Sequence, residues 1–187
     1  MELFGISGEI FLAIAGMATL LASVFLNKDS SYRITLRLCN LSFLITIILI
    51  FFSHSHSGSL FNGAFIYDDL ARFAKILILI GTMLTLIIGY KSQKLDNFNR
   101  PEYPVLILFS VLGMLLMASS NDLIGFYMSL ELQSLPLYVI AAINRDNIKS
   151  SEAGLKYFIL GALSSGLLLY GMSLVYGAVG DTSFYSI

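Results

Sequence analysis

Charge is what this sequence has least of. Asp, Glu, Lys and Arg make up 12% of its 187 residues, about half the share found in a soluble domain. The 11 Lys+Arg against 12 Asp+Glu leave a formal net charge of −1, which excludes the basic footprint of a nucleic-acid binder and an acidic disordered tail. The single cysteine, Cys39, rules out an internal disulfide, and its place in an apolar run is that of an inert buried thiol. No nucleotide-binding glycine loop, catalytic triad or haem-type histidine pair is present within the apolar runs. His54 and His56 form a His-Ser-His pattern without Cys or carboxylate at ligand spacing, too little to hold a metal.

What the sequence has in abundance is apolar length. Hydrophobic residues make up 57% of the chain and the mean hydropathy is +0.81. Runs of about 17–25 apolar residues, long enough to cross a bilayer, fall at 10–26, 34–53, 70–90, 104–120, 122–143 and 153–177. They are continuous rather than alternating and twice the length of a barrel strand, so they predict helices. The fold class is all-α: a polytopic membrane bundle of about six transmembrane helices forming a single domain. The Ser119-Ser120-Asn121-Asp122 turn is short enough to make the fourth and fifth helices antiparallel neighbours, and its side chains suit a helix N-cap. Pro101 and Pro104 sit at the entry to the fourth helix, where proline costs little.

Basic residues are unevenly placed. Connections 27–33, 91–103 and 144–152 carry Lys28, Arg33, Lys91, Lys94, Arg100, Arg145 and Lys149, whereas 1–9, 54–69 and 178–187 carry no Lys or Arg. The positive-inside rule then puts both ends of this segment on the outer side. Glu2 and Glu9 in place of a basic leader make the first span a retained helix rather than a cleaved signal peptide.

Glu131 is the carboxylate that demands a reason. It lies nine residues after Asp122 and fourteen before Arg145, roughly 13 Å and 21 Å along a helix. A charge at that depth costs on the order of 3 kcal/mol. Two readings account for it: a proton- or ion-carrying group, or a permanently protonated acid bonding two helices. Tyr127, Ser134 and Tyr138 share its face of the helix, and Pro136 frees the carbonyl of Leu132 beside it. A kink at Pro136 admits water there or serves only to fit neighbouring helices. Lys156, four residues after Glu152, and Lys75, one turn deeper than Arg72, are the candidate basic partners. Each has a snorkelling alternative, which is the preferred reading for Arg37 and Arg72. A Glu–Lys pair in a low dielectric titrates as one unit, so moving the partners apart lets a proton leave or arrive. In the sixth span Gly161 with Ser165, and Ala162 with Gly166, form two small-xxx-small registers for close helix packing.

The stretch NDLIGFYMSLELQSLPLYVIAAINRDNIKSSEAGLKYFILGALSSGLLLYGMSLVYG (121–177) closely resembles the subunit N family of bacterial proton-pumping NADH:quinone oxidoreductase, respiratory complex I. That family is antiporter-like and shared with multisubunit cation/proton antiporters. ELQSLPLY and SSEAGLKYFILGALSSG carry the resemblance, and Asp68-Asp69 leading into ARFAKILIL extends it upstream. The resemblance implies a fourteen-helix fold of which this chain is the N-terminal portion, ending before the seventh helix. It implies that Glu131 is the intramembrane glutamate that modulates a lysine, and that Lys156 takes part in proton transfer. It further implies that this chain binds no cofactor, that NADH, FMN, iron–sulfur clusters and quinone are used by other subunits of the complex, and that its partners are the other membrane subunits in the bacterial inner membrane. The complex, rather than this chain alone, is then the enzyme. The alternatives are a subunit of a cation/proton antiporter and a non-conducting, truncated assembly fragment.

Overall fold

The computed structural model describes residues 5–25, 28–52, 58–95 and 100–187; His54 and His56 lie outside them. Six long helices carry nearly all of that chain: α1 (Ser7–Phe25), α2 (Lys28–Phe52), α3 (Asp69–Leu95), α4 (Glu102–Ser119), α5 (Leu123–Ala141) and α6 (Ile148–Val179). Each is long and apolar enough to cross a membrane, and within a helix every interior backbone donor finds its acceptor, as hydrocarbon surroundings require. Polar side chains inside the spans follow the same economy. On α2 the hydroxyls of Thr35, Ser42 and Thr46 donate to the carbonyls of Ser31, Leu38 and Ser42 at 2.8–2.9 Å, the usual solution for a hydroxyl inside a helix, whereas the buried Ser110 and Ser119 hydroxyls of α4 have no partner among the described residues.

The bundle is organised around α4, which packs on α1, α2, α3 and α5. Leu108, Val111, Leu112 and Leu115 of α4 meet Leu12, Cys39, Phe43, Leu79 and Leu86 from the first three helices in one buried cluster. The backbones of α4 and α5 approach closely. A Cβ added at Gly113 would stand 2.5 Å from the backbone nitrogen of Gln133 and 2.8 Å from the carbonyl oxygen of Ser129, so only glycine lets these two backbones touch. By contrast α6 packs mainly on α5 and leaves most of its length exposed.

A small β-hairpin lies between α2 and α3, in the connection that carries no Lys or Arg. Strand β1 (Gly58–Leu60) pairs antiparallel with β2 (Phe65–Tyr67), Ser59 opposite Ile66. The 3-10 turn Phe61–Gly63 joins them, with positive φ at Phe61, Asn62 and Gly63; Asn-Gly supplies the left-handed conformations that the turn needs. The hairpin is knitted to two other connections. The Asn121 N–H donates to the Ala64 carbonyl (2.8 Å), the Leu123 N–H to Thr182 (2.8 Å), and the Phe184 N–H to Asn121 (3.1 Å). Residues 58–67, 119–122 and 180–184 therefore share one end of the bundle. At the opposite end Arg100 and Asp146 approach to 3.6 Å, linking the α4 entry to the α5–α6 turn.

Candidate functional site

Glu131 sits in the middle of α5, eight residues or about 12 Å in from Leu123. The helix is started by Asp122, whose carboxylate accepts from the Gly125 N–H at 3.1 Å, and it runs unbroken through buried Pro136 to Ala141. Ser129 and Gln133, which touch α4 at Gly113, bracket the glutamate, so this backbone-to-backbone contact fixes its height. Its Oε1 is buried with no hydrogen-bond partner among the described residues. An orphaned carboxylate oxygen at that depth is open to a proton or to a donor that the present contacts do not supply.

The polar residues on the same face do not converge on that oxygen. The Ser134 hydroxyl donates to the Leu130 carbonyl at 2.6 Å. Tyr138 packs edge-on against Tyr157 and Phe158, with ring centroids 4.9 and 5.8 Å away, and covers Gly161. Tyr127 lines a cavity of about 550 Å³ between α5 and α6 at the hairpin end, with Leu169, Met172 and Tyr176. On α6, Gly161 and Ser165 face α5, whereas Ala162 and Gly166 face away from it, and Gly166 has nothing within 4 Å of an added Cβ. Only the first of the two small-residue registers is filled by contacts within this chain.

Neither lysine pairs with Glu131. Lys156 reaches Glu152 on the preceding turn at 2.6 Å, and both side chains are more than half exposed. Gly154 abuts Ala142 and Gly161 abuts Tyr138, which sets Lys156 level with the last turn of α5, about ten residues or 15 Å from Glu131 along the bundle. Lys75 lies on α3, on the far side of α4, and bonds the carboxylate of Glu9 on α1; both side chains are almost completely buried. The Lys75 Nζ also stands 5.0 Å from the centre of the Phe65 ring. Sequence reasoning missed Glu9 because it was counted with the polar segment before the first span. The available signal was a lysine at matching depth on the third helix with no acid of its own.

At the hairpin end, beyond α6, the Asp181 carboxylate accepts from the Ser186 hydroxyl and from the Ser183 and Thr182 N–H groups, which together hold its pKa below the usual 3.8. Among the described residues no group of three or more His, Cys, Asp or Glu is placed to hold a metal ion.

Residues 120–187 match the family model described as NADH:quinone oxidoreductase/Mrp antiporter, TM. Over 177 residues, 94% of this chain, the sequence is 50% identical to NADH-quinone oxidoreductase subunit N of Rhodospirillum rubrum and 52% identical to that of Pelagibacter ubique, covering 36% and 37% of those proteins. Over 184 residues it is 50% identical to subunit N 1 of Rhizobium meliloti. The chain thus spans little more than a third of the length of the curated relatives it matches. A chain of respiratory complex I from Thermus thermophilus superimposes with a TM-score of 0.75 at 29% identity, over 94% of this chain and 38% of that one. A chain of an archaeal membrane-bound sulfane sulfur reductase shares the fold, with a TM-score of 0.78 at 17% identity over 98% of this chain and 39% of that one. Half-identity along nearly the whole chain and the same six-helix arrangement carry one conclusion: the chain is homologous to part of the NADH-quinone oxidoreductase subunit N proteins and shares their antiporter-like membrane fold.

Proposed function

We propose that this chain forms the first part of a proton-translocating membrane subunit of a bacterial NADH:quinone oxidoreductase, and that Glu131 is the group through which it handles protons. The observation that carries the reading is the buried Oε1 of Glu131, held at mid-membrane without a donor. Keeping a charged carboxylate at that depth costs on the order of 3 kcal/mol or more, and among the described residues no bond from Oε1 to a neighbouring helix offsets that cost. An open oxygen can bind and release a proton, or accept from a cationic group on a further helix. Arrival and departure of that cation would couple the proton to movement elsewhere in the assembly.

The basic connections lie in the cytoplasm in this reading, and the hairpin end, with both ends of the segment, faces outward. The seven Lys and Arg residues of stretches 27–33, 91–103 and 144–152 support that orientation, as does the sharing of one end by residues 58–67, 119–122 and 180–184. Lys156, at the cytoplasmic level of α6, is then the entry-side base, and its exposed face is where the remaining helices of a full-length subunit would pack. NADH oxidation and quinone reduction belong to other subunits, and the work of this one is electrostatic. An antiporter reading shares the family description, but the half-identity is to subunit N.

The test is Glu131→Gln in the full-length subunit within the assembled complex. Gln keeps the shape and removes the titratable proton. The expected outcome is normal assembly with proton translocation and coupled quinone reduction lowered several-fold. Wild-type translocation in this variant refutes the assignment.

A further inference from the structure

The Glu9–Lys75 pair is not used by the reading above, yet among the described residues it is the most thoroughly buried charge. Glu9 is 2% and Lys75 3% exposed. They come from α1 and α3, helices that pack chiefly on α2 and α4 rather than on each other. An ion pair is a poor choice if only stability is needed, because two apolar side chains of similar volume often do as well or better. What a buried pair adds is direction: the ammonium must sit where the carboxylate is, and it must present its remaining face to something compatible.

That face is covered by Phe65 of β2, itself 7% exposed, whose ring centre lies 5.0 Å from Nζ, within range of a cation–π contact. From Phe65 the contacts run on without a gap. Phe65 bridges to Ser120. Asn121 donates its N–H to the Ala64 carbonyl at 2.8 Å and its side-chain amide to the Gly63 carbonyl at 2.9 Å. The next residue, Asp122, caps α5. One buried charge pair thus anchors the hairpin, and the hairpin holds the turn from which α5 starts.

We propose that Glu9 and Lys75 are positioning residues: their ion pair, seated against Phe65, clamps the hairpin onto the α4–α5 turn and so sets the position of the helix that carries Glu131. The consequence for proton translocation rests on the function proposed for Glu131; the clamp itself does not.

The experiment compares Glu9→Gln, Lys75→Met, the double variant and Phe65→Leu in the full-length complex. Two quantities are read from the same preparations: hydrogen exchange of residues 58–67 and 119–123 by mass spectrometry, and protons translocated per electron. Each single charge variant strands its partner, and exchange in both segments should rise at least fivefold while translocation per electron falls. The double variant, which strands nothing, should lie closer to wild type than either single one. Phe65→Leu keeps both charges and should raise exchange in 119–123 to a smaller extent. Where a single variant fails to assemble, Lys75→Arg and Glu9→Asp keep the charges and should return near-wild-type protection. Unchanged exchange in both singles overturns the clamp. Equal loss of translocation in singles and double with the hairpin still protected also overturns it, because the charges would then be carrying protons themselves. Glu131→Gln is measured alongside. If it too translocates at the wild-type rate, the proposed function fails, and exchange at 119–123 alone decides the clamp.

Discussion

A methyl group at Gly113 is the smallest change that should reach Glu131 without touching it. In Gly113→Ala the new carbon would lie 2.5 Å from the Gln133 nitrogen, 2.8 Å from the Ser129 oxygen and 2.9 Å from the Gln133 Cα. All three neighbours are backbone, so no rotamer change relieves them. Ordinary contact begins near 3.4 Å, and α4 and α5 must therefore part by roughly 1 Å, a displacement of the kind that costs about 1–3 kcal/mol in a packed core. That corresponds to between about fivefold and a hundredfold in the equilibrium for local opening. Because Ser129 and Gln133 flank Glu131, the same displacement moves the carboxylate whose proton handling is proposed above. The assay is thermal inactivation of the assembled complex together with protons translocated per electron. Gly81→Ala serves as the control, since nothing lies within 4 Å of an added Cβ at that glycine. Gly113→Ala should lower both readings and Gly113→Val should lower them further, with Gly81→Ala near wild type. Equal behaviour of Gly113→Ala and Gly81→Ala would refute the argument.

Gly161→Ala sets a carbon 2.7 Å from Cε1 of Tyr138; pairing it with Tyr138→Phe should recover part of the lost stability, a non-additivity that a double-mutant cycle measures. Asp122→Ala removes the α5 cap and should cost about 0.5–2 kcal/mol, read as earlier thermal loss of the subunit with Glu131 chemistry retained. Asp181 gives a pH signature. Its carboxyl pKa is lowered by the Ser186, Ser183 and Thr182 donors, so the order it gives to 182–186 is full above about pH 3.8 and fades as pH falls through the lowered value. Exchange of those amides, corrected for intrinsic rate, should rise only in that acidic window, and Asp181→Asn should remove the pH dependence.

Much of this fold is written in the sequence because the bilayer leaves few choices. An apolar run of twenty residues must be a helix, a short Ser-Ser-Asn-Asp turn must return it antiparallel, and a glutamate nine residues beyond that turn must lie deep. What the sequence does not encode locally is which face of a helix meets which neighbour. Gly161 with Ser165 and Ala162 with Gly166 are equivalent as patterns, and only the contact with Tyr138 distinguishes them. Lys75 carries no local sign of its partner, since Glu9 is 66 residues away on a helix that could have begun one turn later. Gly113 looks like any glycine in an apolar run until α5 is laid against it. The hairpin was legible in principle, from Asn62-Gly63 between apolar residues, but three-residue strands carry too little periodicity to stand out.

The stitching of the hairpin end also has a bearing on biogenesis. Asn121 bonds a carbonyl 58 positions earlier, and Leu123 bonds Thr182, a comparable distance ahead. A ribosome adding about 5–20 residues per second needs roughly 3–12 s for each such interval. The helices around α4 can therefore insert and pack while this rim is still in separate pieces, and the last strand of the knot arrives only when α6 has crossed. Until then α5 is seated at its sides but not at its top, so the Asn121–Asp122 turn is held first by the hairpin and only later by residues 182–184.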